Sequence, residues 1–350
     1  MRRTRYLTCV ASSCVLVFWA CGHGPSQSVH IDARKLAAYK PLPEVAAPKD
    51  GSLSEAAITL GRMLYYDPRL SKSQKISCNT CHPLAEYGVD HESTSDGHQG
   101  RKGDRNAPTV YNAAAHFVQF WDGRAPDVEQ QAKGPVLNPV EMAMSSEKEV
   151  IAVLRSMPEY VDAFRKAFPS DKDPVTFDNV GKAIGAFERK LMTPSRWDRF
   201  LQGDQQALTS AEKAGFNEFV NAGCPACHAG ALVGGNLFQK IGVAEPWPDT
   251  TDPGRFKVTR SEADKFIFKV PSLRNAEKTA PYFHNGKTAT LHDAVAQMAE
   301  FQLGKTLTDA QIQSIQTWIR TLTGQLPADY IKPPVLPKST SKTPKPSQGD

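Results

Sequence analysis

Two copies of a short cysteine–histidine motif constrain this chain more than any other feature of its sequence. Residues 78–82 read Cys-Asn-Thr-Cys-His, and residues 224–228 read Cys-Pro-Ala-Cys-His. Positions three and four apart share one face of a helical turn, so both sulfurs of each copy can face one bound group. The spacing is the attachment signature of c-type haem, whose iron takes histidine as a proximal ligand. We therefore predict two covalent haems, held by Cys78, Cys81 and His82 and by Cys224, Cys227 and His228.

The same four cysteines also suit three other kinds of site. Together they would make a four-sulfur zinc site, and separately each pair would make a thioredoxin-like redox centre or a local disulfide. None of these explains why a histidine directly follows both pairs, so we favour haem.

The first 21 residues have the three parts of an export signal. Three arginines lie within the first five residues, residues 7–19 are mostly apolar, and Ala20 is small. Cys21 stands where a lipoprotein signal places its lipidated cysteine, so a cleaved signal and a lipid anchor at Cys21 both remain open. Either one predicts a periplasmic protein, free or tethered to the membrane.

Charge argues against a nucleic-acid partner. Lys and Arg number 42 against 37 Asp and Glu, and three of the basic residues lie in the export signal. The remainder is close to neutral, so no strongly basic surface is expected.

A second repeat follows the haem motifs. Residues 107–113 (Ala-Pro-Thr-Val-Tyr-Asn-Ala) resemble residues 270–276 (Val-Pro-Ser-Leu-Arg-Asn-Ala), which come 163 positions later. Helical patterns precede the haem motifs at residues 53–66 and 209–221, and Gly223 stops the second. The chain is therefore expected to contain two copies of one small helical cytochrome unit.

We predict a mainly α fold of two cytochrome c-like domains, each with one covalent c-type haem, with long loops. A terminal helix is expected at residues 308–322. Residues 327–350 are rich in Pro, Lys, Ser and Thr without an apolar period, which predicts a disordered tail. The expected boundaries are an export signal at 1–21, a loosely packed N-terminal arm at 22–48, an N-terminal domain at 49–195, a C-terminal domain at 196–326 and the tail at 327–350.

The two copies differ at one informative position. Met298 lies on a predicted amphipathic helix at residues 291–301, and the residue 163 positions earlier is Pro135. Methionine is a soft sixth ligand that raises the haem potential, so the second haem is expected to be closed and the first to be open to chemistry. Spacing alone also fits Met298 as an ordinary core residue of its helix.

Several further motifs resemble those of the bacterial dihaem cytochrome c peroxidases, over about residues 50–325. The resemblance rests on both haem motifs and on residues 97–98 (Gly-His), 106–109 (Asn-Ala-Pro-Thr), 119–125 (Gln-Phe-Trp-Asp-Gly-Arg-Ala), 138–142 (Asn-Pro-Val-Glu-Met) and 281–286 (Pro-Tyr-Phe-His-Asn-Gly). It implies an enzyme that reduces hydrogen peroxide to water with electrons from a small cytochrome c or a cupredoxin.

The resemblance also implies which residues ligate the irons. His82 would be the proximal ligand of a low-potential, peroxidatic haem, and His98 would be the ligand that leaves this haem when the other one is reduced. His228 and Met298 would ligate the high-potential, electron-transfer haem. His91 lies in the same glycine- and serine-rich loop as His98 and is its rival as a ligand.

Further roles are implied around the irons. Trp121 would lie on the electron path between the haems, and Glu141 and Gln131 would line the distal pocket of the first haem. Burial raises a carboxyl pKa and suits Glu141 to proton transfer between peroxide oxygens, although its position also fits a solvated acid. Arg124 has the planar fork that matches a haem propionate.

The family likeness implies a homodimer and one calcium ion. The calcium would lie on the side chain of Asn106 and the carbonyl oxygens of Thr279 and Pro281. Calcium accepts such oxygen ligands together with water.

Two other functions remain open on the sequence. A MauG-like dihaem oxidase, which matures tryptophylquinone in methylamine dehydrogenase, shares both haem motifs but carries tyrosine in place of Met298. A non-catalytic dihaem electron-transfer protein would keep both irons six-coordinate in every redox state and would not need Glu141.

The paired motifs predict the haem content of the purified protein. Cys78→Ala combined with Cys81→Ala should leave one covalent haem per chain instead of two, because the second motif is untouched. Haem staining after denaturing electrophoresis, together with intact mass, measures the count. The matched double variant at Cys224 and Cys227 should also retain one haem, and a wild-type chain that carries zinc without haem would contradict the prediction.

Overall fold

The chain folds into a mainly helical structure. The structure is a computed structural model and describes residues 1, 29–48 and 53–347. The predicted export signal, with Cys21, and the start of the arm lie outside the described residues. Within those residues, no helix combines the length and the apolar character needed to cross a membrane. The helices are α1 (Ala33–Leu36), α2 (Glu55–Tyr66), α3 (Cys78–Cys81), α4 (Val128–Leu137), α5 (Glu147–Arg155), α6 (Pro158–Ala167), α7 (Phe177–Glu188), α8 (Arg196–Leu201), α9 (Ser210–Ala222), α10 (Phe256–Thr259), α11 (Leu291–Leu303) and α12 (Asp309–Ile319).

A short antiparallel ribbon joins the helices between α9 and α11. Its strands are β1 (Phe238–Lys240) and β2 (Ile267–Lys269), with Phe238 opposite Lys269 and Lys240 opposite Ile267. The ribbon is small, but β2 carries Lys269 into the interior of the molecule.

The N-terminal core is the set of apolar side chains buried between α2, α4, α5, α6 and α7. α7 packs against both α2 and α4. Leu60 and Leu64, one turn apart on α2, and Phe187 of α7 are fully buried, as expected for one apolar stripe on an amphipathic helix. The hydroxyl of Ser54 accepts a hydrogen bond from the Ala57 amide at 3.1 Å and caps α2. The helix predicted at residues 53–66 is therefore confirmed.

The C-terminal core is the aromatic cluster between α8, α9 and α12. The ring of Trp318 on α12 lies 5.4 Å from that of Trp197 and 4.4 Å from that of Phe219. α9 begins at a capping box on Thr209 and ends at Gly223, which has a φ of 103°. The predicted helices at 209–221, 291–301 and 308–322 correspond to α9, α11 and α12, and the last one finishes as a 3₁₀ turn.

Backbone conformation confirms the second repeat. Asn112 and Asn275, which lie 163 positions apart, both have a φ of 61°, and Phe120 and Phe283 have φ values of 64° and 67°. A positive φ is uncommon outside glycine, so its recurrence at matched positions means that the two loops fold alike. α4 and α11 follow these loops and begin at equivalent positions.

The described part of the arm is docked, which differs from the prediction of loose packing. The ring of Tyr39 enters the C-terminal core, 5.7 Å from Trp197 and 5.4 Å from Phe216. The Leu42 amide donates to the carboxylate of Asp198 at 2.7 Å. Buried contacts of this kind, together with a pair of hydrogen bonds between Ala46 and Arg189, hold the segment in place, and they leave no periodic signal in the sequence.

The tail also differs from its prediction, because residues 327–347 lie along the N-terminal core. Tyr330 stacks on Phe187 with ring centroids 5.0 Å apart, and its hydroxyl donates to the Phe187 carbonyl at 2.8 Å. The hydroxyl of Tyr66 donates to the Ile331 carbonyl at 2.5 Å. Composition predicts disorder because the segment has no apolar period, whereas a single ring and isolated backbone groups fix it here.

Tail packing predicts a contribution to stability. Tyr330→Ala should lower the free energy of unfolding by roughly 2 kcal/mol, because it removes a stacked ring and a hydrogen bond. Denaturant titration followed by circular dichroism measures the change. Val335→Ala is the matched control, since that side chain is 94% exposed in the same tail. Equal stabilities of the two variants would show that the tail does not pack.

Candidate haem sites

The first haem motif opens onto a cavity of about 490 Å³. α3 carries Cys78 and Cys81, and a capping box between Ser77 and Thr80 starts the helix. Both thiols are free and both line the cavity together with His82. We name this space the first cavity. Two free thiols and one imidazole on the wall of one cavity fit the covalent attachment of a porphyrin.

The second haem motif opens onto a cavity of about 260 Å³ lined mainly by apolar side chains, which we name the second cavity. The motif forms a 3₁₀ turn, Cys224–Ala226, directly after Gly223 ends α9. Cys224, Cys227 and His228 line the cavity, and both thiols are free. The same three groups therefore recur on the wall of each cavity.

Both motif histidines are held in the same way. His82 Nδ1 lies 3.2 Å from the Gly88 carbonyl, and His228 Nδ1 lies 3.3 Å from the Val233 carbonyl. Donation from Nδ1 leaves Nε2 with the lone pair that an iron ligand needs. Burial lowers the pKa of His82 and brings that of His228 to about 4, so both rings are neutral. The residues on both walls fit haem.

The two cavities carry different residues at one equivalent position of the repeat. Met298 of α11 lines the second cavity with His228. α4 is the repeat equivalent of α11, and it places Pro135 on the wall of the first cavity. Proline has no side-chain ligand, so the equivalent position of the first cavity is open.

His98 lies beside the first cavity. It is 2% exposed, and neither ring nitrogen has a hydrogen-bond partner. Its backbone amide donates to the carbonyls of Val140 and Glu141 at 2.9 and 2.8 Å. Gly97 lines the cavity, and a Cβ there would lie 1.9 Å from the Val140 carbonyl oxygen, so this close approach requires glycine. The rival His91 is exposed and its Nδ1 lies 3.0 Å from the Ala280 carbonyl.

Glu141 and Gln131 both line the first cavity. Burial raises the pKa of Glu141, and the nearby charge of Arg124 and a hydrogen bond from Asn138 oppose that rise. The Asn138 amide donates to Glu141 Oε1 at 2.9 Å, and its oxygen accepts from the Val140 amide at 3.0 Å. Asn138 therefore fixes the carboxylate, a role that the sequence motif does not indicate.

Arg124 lies at the mouth of the first cavity. Its guanidinium lies 3.5 Å from the centre of the Phe120 ring and 3.0 Å from the Asp122 carboxylate, and its side chain is 43% exposed. Arg105 is more buried and also lines the first cavity. It binds Asp122 at 2.6 Å and Asp252 at 2.9 Å, an ion-pair network that sequence reasoning missed because its members are far apart in the chain.

Trp121 lies between the two cavities. Residues 106–109, His116, Phe120, Trp121 and Lys269 line both of them, and we name this set the seam. The indole N–H of Trp121 donates to the Asn106 carbonyl at 2.9 Å. The ring therefore has a fixed orientation in the wall that separates the two spaces.

The three predicted calcium ligands line the same cavity. Asn106, Thr279 and Pro281 all line the second cavity. The amide nitrogen of Asn106 donates to the Glu92 carbonyl at 3.0 Å, which leaves its oxygen for a cation. The described residues contain no cluster of three or more His, Cys, Asp or Glu that could hold a metal ion. A cation here would depend on amide and carbonyl oxygens.

Two buried titratable groups on the cavity walls were not singled out from the sequence. Burial raises the pKa of Glu188, on the wall of the first cavity, to about 8. Burial lowers the pKa of Lys269, at the seam, to about 7. The sequence motifs assign no role to either residue, so only their burial identifies them.

Comparisons with known proteins place these sites in a family. Residues 55–206 match the model of the family described as di-haem cytochrome c peroxidase. The chain is 44% identical to a cytochrome c551 peroxidase of Pseudomonas aeruginosa, over 95% of this chain and 97% of that protein. It is 46% identical to a cytochrome c551 peroxidase of Nitrosomonas europaea, over 89% of this chain and 91% of that protein.

A solved structure is similar as well. The crystal structure of a MauG-like protein associated with microbial copper homeostasis has a TM-score of 0.72 and 28% identity, and the match covers 84% of this chain and 97% of that one. Near-complete coverage at more than 40% identity leaves no room for a chance match of the two motifs alone. The chain belongs to the di-haem cytochrome c peroxidase family.

Proposed function

We propose that this protein reduces hydrogen peroxide to water at the first cavity, with electrons that a small cytochrome c or a cupredoxin delivers to the second. The observation that carries the proposal is the difference between the two walls. Met298 faces the second cavity, and Pro135 occupies the equivalent position in the first, beside Glu141 and Gln131. Each cavity with its core is then one cytochrome c-like domain, with the boundary near residues 195–196.

The side chains of the first cavity divide the work on peroxide. Haem, when bound to His82, supplies a redox-active iron. The Glu141 carboxylate would accept a proton from one oxygen of hydrogen peroxide, the one next to the iron, and donate it to the other oxygen, which leaves as water. Burial, which raises the pKa of Glu141, suits it to this exchange. Asn138 orients the carboxylate, and the amide of Gln131 donates a hydrogen bond to the substrate.

His98 controls access to this site in our proposal. Two buried ring nitrogens without hydrogen-bond partners cost free energy of folding. We infer that the His98 imidazole moves easily between this buried position and one in which it ligates iron. Its amide bonds to the carbonyls of Val140 and Glu141, which couple any movement of His98 to the catalytic carboxylate. The resting state would have His98 on the first iron, and the active state would have it withdrawn.

The seam provides the electron path. Trp121 contributes a large aromatic ring to the walls of both cavities, and its indole N–H is anchored on Asn106. Calcium on Asn106, Thr279 and Pro281 would stiffen the same wall. We further propose a periplasmic homodimer, exported by residues 1–21 and tethered to the membrane if Cys21 is lipidated.

Two alternatives make different predictions about the same residues. The cofactor-maturing oxidase carries tyrosine at the sixth position of its second haem, and this chain has Met298 there. A dihaem electron-transfer protein has no use for a carboxylate and an amide on an open cavity wall, and this chain has Glu141 and Gln131 there.

Peroxide turnover tests the proposal at Glu141. Glu141→Gln should lower kcat roughly 10²- to 10⁴-fold, because the amide cannot accept a proton from peroxide. Turnover is measured from donor oxidation by the pre-reduced holoenzyme. Glu147→Gln makes the same change of charge on the exposed first turn of α5 and should turn over as the wild type does. Unchanged kcat in Glu141→Gln, or no turnover in the wild type, would favour the electron carrier.

Stepwise reduction tests the difference between the two irons. Met298→Leu should lower the potential of one haem and leave the other unchanged, because it removes a thioether and keeps the volume. Redox titration followed by absorbance measures both potentials. Met144→Leu changes a buried methionine of the N-terminal core and should alter neither. Two unchanged potentials in Met298→Leu would place the sixth ligand elsewhere.

A further inference from the structure

Lys269 is a buried lysine at the seam. β2 carries it there, and its backbone amide donates to the Trp121 carbonyl at 2.7 Å. Only 6% of the residue is exposed, and it lines both cavities, as His116 does. A buried lysine is unusual because its ammonium group loses its hydration.

The hydrogen bonds of Lys269 are incomplete. A lysine ammonium has three N–H donors. One lies 2.9 Å from His116 Nδ1, and another donates to the Val118 carbonyl at 3.2 Å. No third acceptor for Lys269 is found within residues 29–48 and 53–347, so one donor remains for a group bound in a cavity that Lys269 lines.

The charge of Lys269 is also uncompensated. Asp122 is the acid whose charge favours the protonated lysine, but its carboxylate is already bound by Arg105 at 2.6 Å and by Arg124 at 3.0 Å. His116 brings no negative charge, since it is neutral where it accepts from the ammonium. Burial of an ammonium without a counter-ion is costly and favours the neutral amine, so an anion bound beside Lys269 would stabilise its charged form.

We propose that Lys269 and His116 form a carboxylate-binding site at the seam, which takes a propionate of a haem held in one of the two cavities. Because Nδ1 of His116 accepts from Lys269, its Nε2 carries a proton. The pair therefore offers a charged N–H and a neutral N–H to one carboxylate. Haem propionates are the carboxylates that haem in these cavities would bring, and the inference rests on the two proposed haem sites.

Such a site affects the haem potential. Reduction of iron adds one negative charge, and a buried ammonium beside the propionate favours the reduced state by Coulomb attraction at low effective dielectric. Loss of this cation should lower the potential of the haem whose propionate it binds. A buried ammonium that bound no propionate would also raise the potential of a nearby haem, but its loss would leave the propionate bending vibration unchanged.

Redox titration of the holoprotein without peroxide tests the site. At a fixed solution potential, Lys269→Met should lower the reduced-to-oxidised ratio of one haem about tenfold, which is 59 mV for one electron. Lys269→Arg keeps the charge and should stay within twofold of the wild type. The propionate bending band in resonance Raman spectra should shift in Lys269→Met, because it loses a hydrogen bond.

Lys257→Met is the matched control. Lys257 also lines the first cavity, but its side chain is 41% exposed and already pairs with Asp104 at 3.3 Å. Its removal should leave both potentials and the Raman band unchanged. If Lys269→Met loads fewer than two haems, Lys269→Gln, which keeps a donor for the Val118 carbonyl, is titrated with the same expected fall.

One result overturns the proposal. An unshifted propionate bending band in a fully loaded Lys269→Met or Lys269→Gln protein would mean that no propionate binds Lys269, whether or not the reduced-to-oxidised ratios change. Peroxide plays no part in these measurements, so failure here and failure of the proposed peroxidase activity are distinguishable.

Discussion

Covalent attachment of each haem requires two cysteine sulfurs and one histidine imidazole from a single short turn of backbone. The turn alone does not orient the imidazole. A carbonyl a few residues downstream, of Gly88 for His82 and of Val233 for His228, accepts from Nδ1 and keeps Nε2 for the iron. The N-terminal and C-terminal cores support these two turns, since α2 and α9 lead into them and pack on α7 and α12.

A duplicated scaffold gives the two cavities different chemistry through few substitutions. The loops before α4 and α11 repeat the same unusual backbone conformations, so the two helices present equivalent positions to their cavities. Met298 on one helix offers sulfur, and Pro135 on the other offers no ligand. The turn after α4 then brings Glu141 to the open wall, where Asn138 holds it. The proposed division between an electron-accepting haem and a reacting haem depends on these wall residues and not on a difference in fold.

Two buried basic side chains near the seam, Arg105 and Lys269, differ in whether they pair with acids. Arg105 binds two acids, one from each half of the chain, and Arg124 and Lys257 bring further positive charge to the same two carboxylates. Lys269 has no acid of its own, and its backbone amide donates to the carbonyl of Trp121, which lies on the proposed electron path. In a medium of low effective dielectric an uncompensated charge acts strongly on its neighbours. In our proposal the seam therefore influences a haem electrostatically through Lys269 and provides the electron path through Trp121.

Local spacing determined much of this protein from the sequence alone. The haem attachment residues, the helices α2, α9, α11 and α12, the repeat and the contrast between Met298 and Pro135 all depend on residues within a few turns of one another, or on a constant offset. Tertiary structure decided the rest. The contact of Lys269 with His116 joins residues 153 positions apart, and that of Arg105 with Asp252 joins residues 147 apart. The docking of Tyr39 and Tyr330 depends on contacts with the rings of Trp197 and Phe187, which lie on helices distant in the chain. Such contacts leave no periodic signal, because hydrogen bonding and burial depend on where the folded chain brings two side chains together and not on their separation in sequence.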